Sequence, residues 1–167
     1  PVPGGLSHAD ELVRLARDFG DFEVGVAAFP EGHPESPDLS SDARVLAAKQ
    51  RAGASFAITQ FFFRVEDYFA LVARATEAGV TLPILPGIMP VTNVRQIERF
   101  AVLSGAQFPP ELAARFEAIS DDPTAVTDLG IEVATELAEK LLAGGAPGLH
   151  FYTLNRSTAT REIFARL

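Results

Sequence analysis

Four short runs of consecutive apolar residues divide the chain, and longer segments with a helical repeat separate them. The runs cover residues 22–29, 55–63, 82–88 and 149–154. None of them alternates apolar with polar side chains. Continuous apolar runs of this length are typical of parallel strands that are covered on both faces. We therefore expect four buried parallel strands.

Apolar residues at helical spacing fill the segments around these runs. The first predicted helix covers residues 7–19, with Ser7 as its N-cap and an apolar stripe of Leu12, Leu15 and Phe19. A second helix is capped by Ser40 or Ser41. The others are predicted over residues 65–78, 93–103, 110–119, 122–143 and 158–167. Strands that alternate with helices in this way predict βαβ units and an α/β fold.

Composition narrows the class of protein. The chain has 167 residues, of which 47% are apolar, enough for one domain with a buried core. The net charge of −8 argues against a nucleic-acid partner, which needs a basic face. The absence of cysteine excludes disulfides and thiolate metal sites and agrees with a cytoplasmic location. No apolar run approaches the roughly 18 residues that span a bilayer, so we expect no membrane partner.

Polar residues stand where the predicted strands end, which is where α/β folds bind ligands. Glu31 and His33 follow the first strand, Gln60 interrupts the second, and Tyr152 and Arg156 follow the start of the fourth. Each has a plain structural alternative. Glu31 and His33 are equally compatible with a solvated turn, Gln60 with a polar network in the core, and Tyr152 with an amphipathic rim position.

Two charges share one face of the helix after the first strand. Lys49 follows Asp42 by seven residues, about 10 Å along a helix axis, which is too far for a direct salt bridge. The pair is either two unrelated solvated charges or a face that meets an elongated ligand with phosphate groups. Phe100 lies at helical spacing from Ile97, which is a core pattern on composition alone.

Common catalytic and nucleotide-binding motifs are absent from the sequence. There is no Walker loop, GxGxxG, GxSxG or HExxH, and the three histidines have no metal-ligand spacing. The residues by themselves therefore indicate an α/β domain with a ligand-binding face.

Four sequence words at the strand ends resemble the methylenetetrahydrofolate reductase family and occur in the family's order. They are AAFPEGHPES at 27–36, AITQFFF at 57–63, PGIMPVTN at 86–93 and HFYTLNR at 150–156. The resemblance implies a (β/α)8 TIM barrel that binds FAD. The implied reaction reduces 5,10-methylenetetrahydrofolate to 5-methyltetrahydrofolate with electrons from NADH or NADPH.

The same resemblance implies that this chain is the C-terminal half of the barrel, strands five to eight, within one partial domain. The first four strands and the general-acid glutamate of the family are then expected upstream. No catalytic residue is expected in this chain, and the chain alone is expected to be inactive.

Site residues are carried over position by position. The resemblance implies contacts with FAD for Ala27, Phe29, His33, Asp42 and Lys49. It implies contacts with folate or nicotinamide for Gln60, Phe100, Tyr152 and Arg156. Val45 and Ala48 depart from the pattern, because some members place polar or basic contacts to the FAD phosphates there.

Two other functions compete with this interpretation. One is a catalytically incomplete half barrel that binds flavin or folate, or associates with itself, without turnover. The other is a different flavin barrel, such as a proline dehydrogenase. Four strands cannot close a barrel and leave two open sheet edges, so we expect a homo-oligomer.

Overall fold

One parallel sheet of four strands forms the centre of the computed structural model, which describes residues 3–95 and 106–167. The strands lie side by side in chain order: β1 (Gly25–Ala28), β2 (Phe56–Phe61), β3 (Ile84–Ile88) and β4 (His150–Phe151). All four predicted strands are confirmed, but each is shorter than its apolar run. Phe62 shows why: it lies beyond the ladder, yet it is only 1% exposed because it packs into the core.

Six helices lie in the described ranges, and the predicted alternation of strands and helices is confirmed. They are α1 (Ala9–Phe19), α2 (Leu39–Arg51), α3 (Val65–Glu77), α4 (Pro110–Glu117), α5 (Pro123–Ala143) and α6 (Thr158–Arg166). Most of the helix predicted over residues 93–103 lies outside the described residues, and Phe100 lies there with it.

Carboxylates cap two of these helices. Asp122 caps α5, since its side chain accepts hydrogen bonds from the N–H groups of Thr124 and Ala125. The predicted cap of α2 is wrong. Asp38 takes that place, and its carboxylate accepts from Ser41 N at 2.6 Å, so the helix begins before Ser40. An aspartate satisfies a free helical N–H group as well as a serine does.

Helix α1 differs from its prediction in its cap and in the face that it buries. His8 occupies the N-cap without a side-chain bond, whereas Ser7 donates its backbone N–H to Glu11 at 2.8 Å. Val13 is the buried residue of the helix. The predicted apolar stripe is exposed instead, with accessible fractions of 57%, 41% and 79% for Leu12, Leu15 and Phe19.

The sheet has one covered face and one open face in the part of the chain that is described. On β1, Val26 and Ala28 are buried, whereas Gly25 and Ala27 are exposed. The core joins the covered face to α2, α3, α5 and α6. Among the described residues, the exposed positions of β1 therefore do not meet the prediction that both faces are covered.

Helix α5 lies unusually close to the segment that follows β3. A Cβ atom at Gly130 would stand 1.8 Å from the carbonyl oxygen of Val91, so only glycine permits this approach. The contact holds the end of β3 against the helix. It thereby places Thr92 and Asn93 beside the cleft described below.

Candidate functional site

Asp42 organises the loop between β1 and α2. One carboxylate oxygen accepts the backbone N–H of His33 at 2.8 Å, and the other accepts the hydroxyl of Ser36. The His33 ring meets the Phe29 ring edge to face at 4.8 Å. The three predicted positions Phe29, His33 and Asp42 therefore form one connected group, which Ser36 joins without having been predicted.

Lys49 is a buried cation beneath the end of β1. Its side chain donates from Nζ to the carbonyl oxygen of Ala27 at 2.9 Å, and the residue is 8% exposed. Burial lowers the pKa of this ammonium group, while the charges of Asp42 and Asp10 oppose that shift. Asp42 and Lys49 thus act on different parts of β1 and its loop, in agreement with the predicted lack of a direct salt bridge.

Gln60 occupies an irregular place on β2. The pairing of β2 with β3 shifts between Ile58 and Phe61, and the Gln60 side chain accepts the N–H of Phe61 at 2.9 Å through Oε1. Among the described residues, no protein atom accepts a hydrogen bond from its Nε2 group. The amide is half-buried.

Tyr152 is tied to the strand that carries Gln60. Its hydroxyl donates to the carbonyl oxygen of Thr59 at 2.9 Å, while Thr59 Oγ1 accepts the N–H of Gly87 at 2.8 Å. Burial raises the pKa of Tyr152. A Cβ atom at Gly87 would stand 2.3 Å from the carbonyl oxygen of Thr59. Only glycine therefore fits at the point where β2, β3 and Tyr152 meet.

A cleft of about 380 Å³ opens beyond β4. Its lining includes Tyr152, Arg156, Thr92, Asn93 and Thr127. The backbone between Tyr152 and Arg156 is unusual, because Leu154 and Asn155 have positive φ angles of 49° and 61°. Such conformations are costly for residues other than glycine and concentrate at functional sites. Asn155 is a residue type that signals this conformation, whereas nothing in the sequence points to Leu154.

The predicted site residues fall into two groups that β2 connects. Phe29 and Gln60 line one narrow recess between the ends of β1 and β2, which is too small to admit a water molecule. Tyr152 and Arg156 line the cleft on the other side. The Tyr152 bond to Thr59 lies one residue from Gln60 and joins the groups. Sequence reasoning missed Thr59 and Gly87, whose importance depends on long-range contacts.

No group of three or more metal-ligating side chains occurs in residues 3–95 and 106–167. None of the helices in those ranges has the length and apolarity needed to cross a membrane.

The sequence is similar to known proteins along its whole length. A family model described as methylenetetrahydrofolate reductase matches residues 1–167. The 5,10-methylenetetrahydrofolate reductase of Escherichia coli (strain K12) is 39% identical over 156 residues, which are 93% of this chain and 53% of that protein. Methylenetetrahydrofolate reductase 2 of Saccharomyces cerevisiae is 37% identical over 172 residues, which are 100% of this chain and 29% of that protein.

A solved structure supports the fold. It is an uncharacterized protein from Clostridium thermocellum that binds two copies of 5-methyl-5,6,7,8-tetrahydrofolic acid. It superposes with a TM-score of 0.61 at 18% identity and covers 96% of this chain and 57% of its own. The chain spans about half the length of its bacterial relatives, such as the enzyme of Pectobacterium carotovorum, of which it covers 55%. The family match decides against a proline dehydrogenase: this chain belongs to the methylenetetrahydrofolate reductase family.

Proposed function

We propose that this chain is the C-terminal half of a flavin-dependent enzyme that reduces 5,10-methylenetetrahydrofolate to 5-methyltetrahydrofolate with NADH or NADPH. Family membership supports the reaction. The observation that carries the site is the adjacency of Phe29 and Gln60, which places a position expected at the flavin next to one expected at folate. The folate bound by the structural neighbour agrees with this substrate class.

The residues near β1 fit a flavin nucleotide. Ala27 is exposed on the open face and has only a methyl side chain, so a flat ring can approach the backbone there. Lys49 brings a positive charge close to the same strand. When bound, a flavin would accept a hydride from the nicotinamide and pass it to folate. The exposed Val45 adds no polar group to this surface.

The protein's own residues orient the two partners. Asp42 holds the loop of His33 in one conformation, so the flavin side of the site is preorganised. Gln60 offers a free amide donor to a pterin, and Tyr152 holds the strand on which Gln60 lies. Arg156 adds a positive charge to the cleft beside Tyr152, which suits the acidic tail of folate. The proton donor of the reaction is proposed to lie upstream, in the other half of the protein.

Exposed apolar side chains at the two ends of the sheet support a half barrel that further strands complete. Among the described residues, β1 and β4 each pair with one neighbour. Phe19 of α1 is 79% exposed and Phe164 of α6 is 77% exposed. Surfaces of this kind are normally covered in the folded assembly. A homo-oligomer of complete barrels remains part of the proposal.

Replacing Gln60 in the full-length protein tests this function. In Gln60→Ala, we expect turnover of methylenetetrahydrofolate to fall about tenfold or more, because a buried polar contact to the substrate is lost. NADH oxidation with menadione should stay within about twofold of wild type, since it does not involve folate.

Gln50→Ala is the matched control. The Gln50 side chain accepts the N–H groups of Thr81 and Leu82, away from the recess. This variant should lose stability while keeping the ratio of the two activities. Equal losses of both activities in Gln60→Ala, or no reduction of methylenetetrahydrofolate by the wild type, would contradict the proposed function.

A further inference from the structure

Glu31 contacts a distant part of the chain. Both oxygens of its carboxylate accept the backbone N–H of Gln107, at 3.0 and 3.2 Å. The two residues are 76 positions apart. Glu31 lies in the loop after β1, whereas Gln107 lies in the segment of residues 106–109 that leads into α4. This contact therefore ties the loop of His33 to the chain that returns from β3.

The residue after Gln107 is held by aromatic packing. The Phe108 ring meets the Phe63 ring at 4.8 Å and the Phe116 ring at 6.1 Å. These contacts anchor the segment beside the end of β2 and α4. Two consecutive residues, Gln107 and Phe108, therefore hold the segment in place from different sides.

The segment borders the recess in which Gln60 lies. Ala106 lines that recess together with Phe29, Glu31, Gly32 and Gln60. A shift of residues 106–109 would therefore change the wall of the recess beside Gln60. Since the Gln60 amide is the proposed contact for the pterin, such a shift would alter the surroundings of that contact.

The groups around Glu31 act on the pKa of its carboxyl group in both directions. Burial raises the pKa of this carboxyl group, the Gln107 N–H bond lowers it, Asp67 raises it and Arg64 lowers it. A hydrogen bond to a carboxylate is about twice as strong as one between neutral groups. Arg64 itself pairs with Glu111 at 3.0 Å, so α4 is tied to the same region twice.

We propose that Glu31 is a positioning residue for the folate side of the site: by holding Gln107, it keeps the 106–109 segment beside Gln60. This proposal rests on the proposed function for its substrate, but the contact itself is independent of any ligand. Glu31 is not assigned a proton transfer, because both of its carboxylate oxygens are engaged as acceptors of the Gln107 N–H.

Two substitutions separate positioning from proton donation in the full-length protein. Glu31→Ala removes the acceptor, whereas Glu31→Gln keeps one carbonyl oxygen for Gln107 and cannot donate an acidic proton. Glu35→Ala is the matched control, because it removes an exposed carboxylate from the same loop.

Hydrogen exchange measured by mass spectrometry tests the anchor without ligand. In peptides that contain Gln107, Glu31→Ala should exchange about tenfold faster than wild type, which is the loss expected for one charged hydrogen bond. Glu31→Gln should exchange at a rate near that of wild type, and Glu35→Ala should be unchanged. Unchanged exchange in Glu31→Ala would overturn the proposal.

Steady-state kinetics test the link to folate. Glu31→Ala should raise the KM for methylenetetrahydrofolate about fivefold or more, change NADH oxidation with menadione by a smaller factor, and be rescued in Glu31→Gln. An unchanged KM in Glu31→Ala, or a Glu31→Gln variant as inactive as Glu31→Ala, would overturn positioning. A wild type that cannot reduce methylenetetrahydrofolate would refute the proposed function. The hydrogen-exchange measurement would still test the contact of Glu31 with Gln107 independently.

Discussion

A substitution at Gly87, where β2, β3 and Tyr152 meet, provides the sharpest test of the structure. In Gly87→Ala, the new Cβ would stand 2.3 Å from the backbone oxygen of Thr59 and 2.6 Å from Cε2 of Tyr152. Ordinary contacts of this kind are 3.4 Å or longer. A shift of about 1 Å is therefore required, and it must move either a strand or the tyrosine.

The expected change in the free energy of unfolding combines two destabilising effects and one stabilising effect. Overpacking of a rigid site costs about 1–3 kcal/mol. Displacing Tyr152 also loses its 2.9 Å bond to Thr59, worth about 1 kcal/mol. Alanine recovers about 0.5–1 kcal/mol because it restricts the unfolded chain more than glycine does. The net destabilisation is about 2 kcal/mol.

Urea unfolding followed by circular dichroism measures this change. With a slope of about 2 kcal/mol/M, the midpoint of Gly87→Ala should fall by about 1 M. Gly148→Ala is the control, because its Cβ would stand 3.4 Å from Leu85, an ordinary contact. A Gly87→Ala midpoint equal to that of Gly148→Ala would refute the reasoning. The variant should also lose folate turnover, since Gln60 follows Thr59 directly.

Two further predictions concern buried ionisable groups. Burial lowers the pKa of Lys49, so Lys49→Met should leave the urea midpoint at pH 7 unchanged or higher. The same variant should weaken FAD binding about tenfold or more in a fluorescence titration. Equal affinity for FAD would contradict the proposed role of Lys49 at the flavin. Because burial raises the pKa of Tyr152, the unfolded chain loses this proton first above about pH 10, and stability falls as pH rises. The midpoint of Tyr152→Phe should therefore fall less between pH 8 and pH 10.5 than that of wild type, and equal slopes would argue against a raised pKa.

The types and order of the secondary structure elements could be predicted because they depend on neighbouring residues. Apolar runs placed all four strands, and the repeat around Leu137 and Leu141 placed the long helix α5. The N-cap of α2 was misplaced by a few residues, because Asp38, Ser40 and Ser41 are all competent caps and the sequence does not rank them.

The faces of the elements were harder to predict, since burial depends on what lies opposite. The α1 stripe of Leu12, Leu15 and Phe19 has the spacing of a core face and is nevertheless exposed in this chain. The same holds for Ala27 on β1, whose apolar neighbours suggested that both faces are covered. An apolar side chain indicates that a packing partner exists, but it does not indicate where that partner lies.

The sequence alone determined the fold class, the family and the list of residues at the strand ends, because these follow from local spacing and from short words of consecutive residues. Only the tertiary structure decided what those residues contact. The Tyr152 bond to Thr59 spans 93 positions and the Glu31 contact with Gln107 spans 76. Such pairs form when packed strands bring distant segments within 3 Å of each other, and no local pattern encodes that approach.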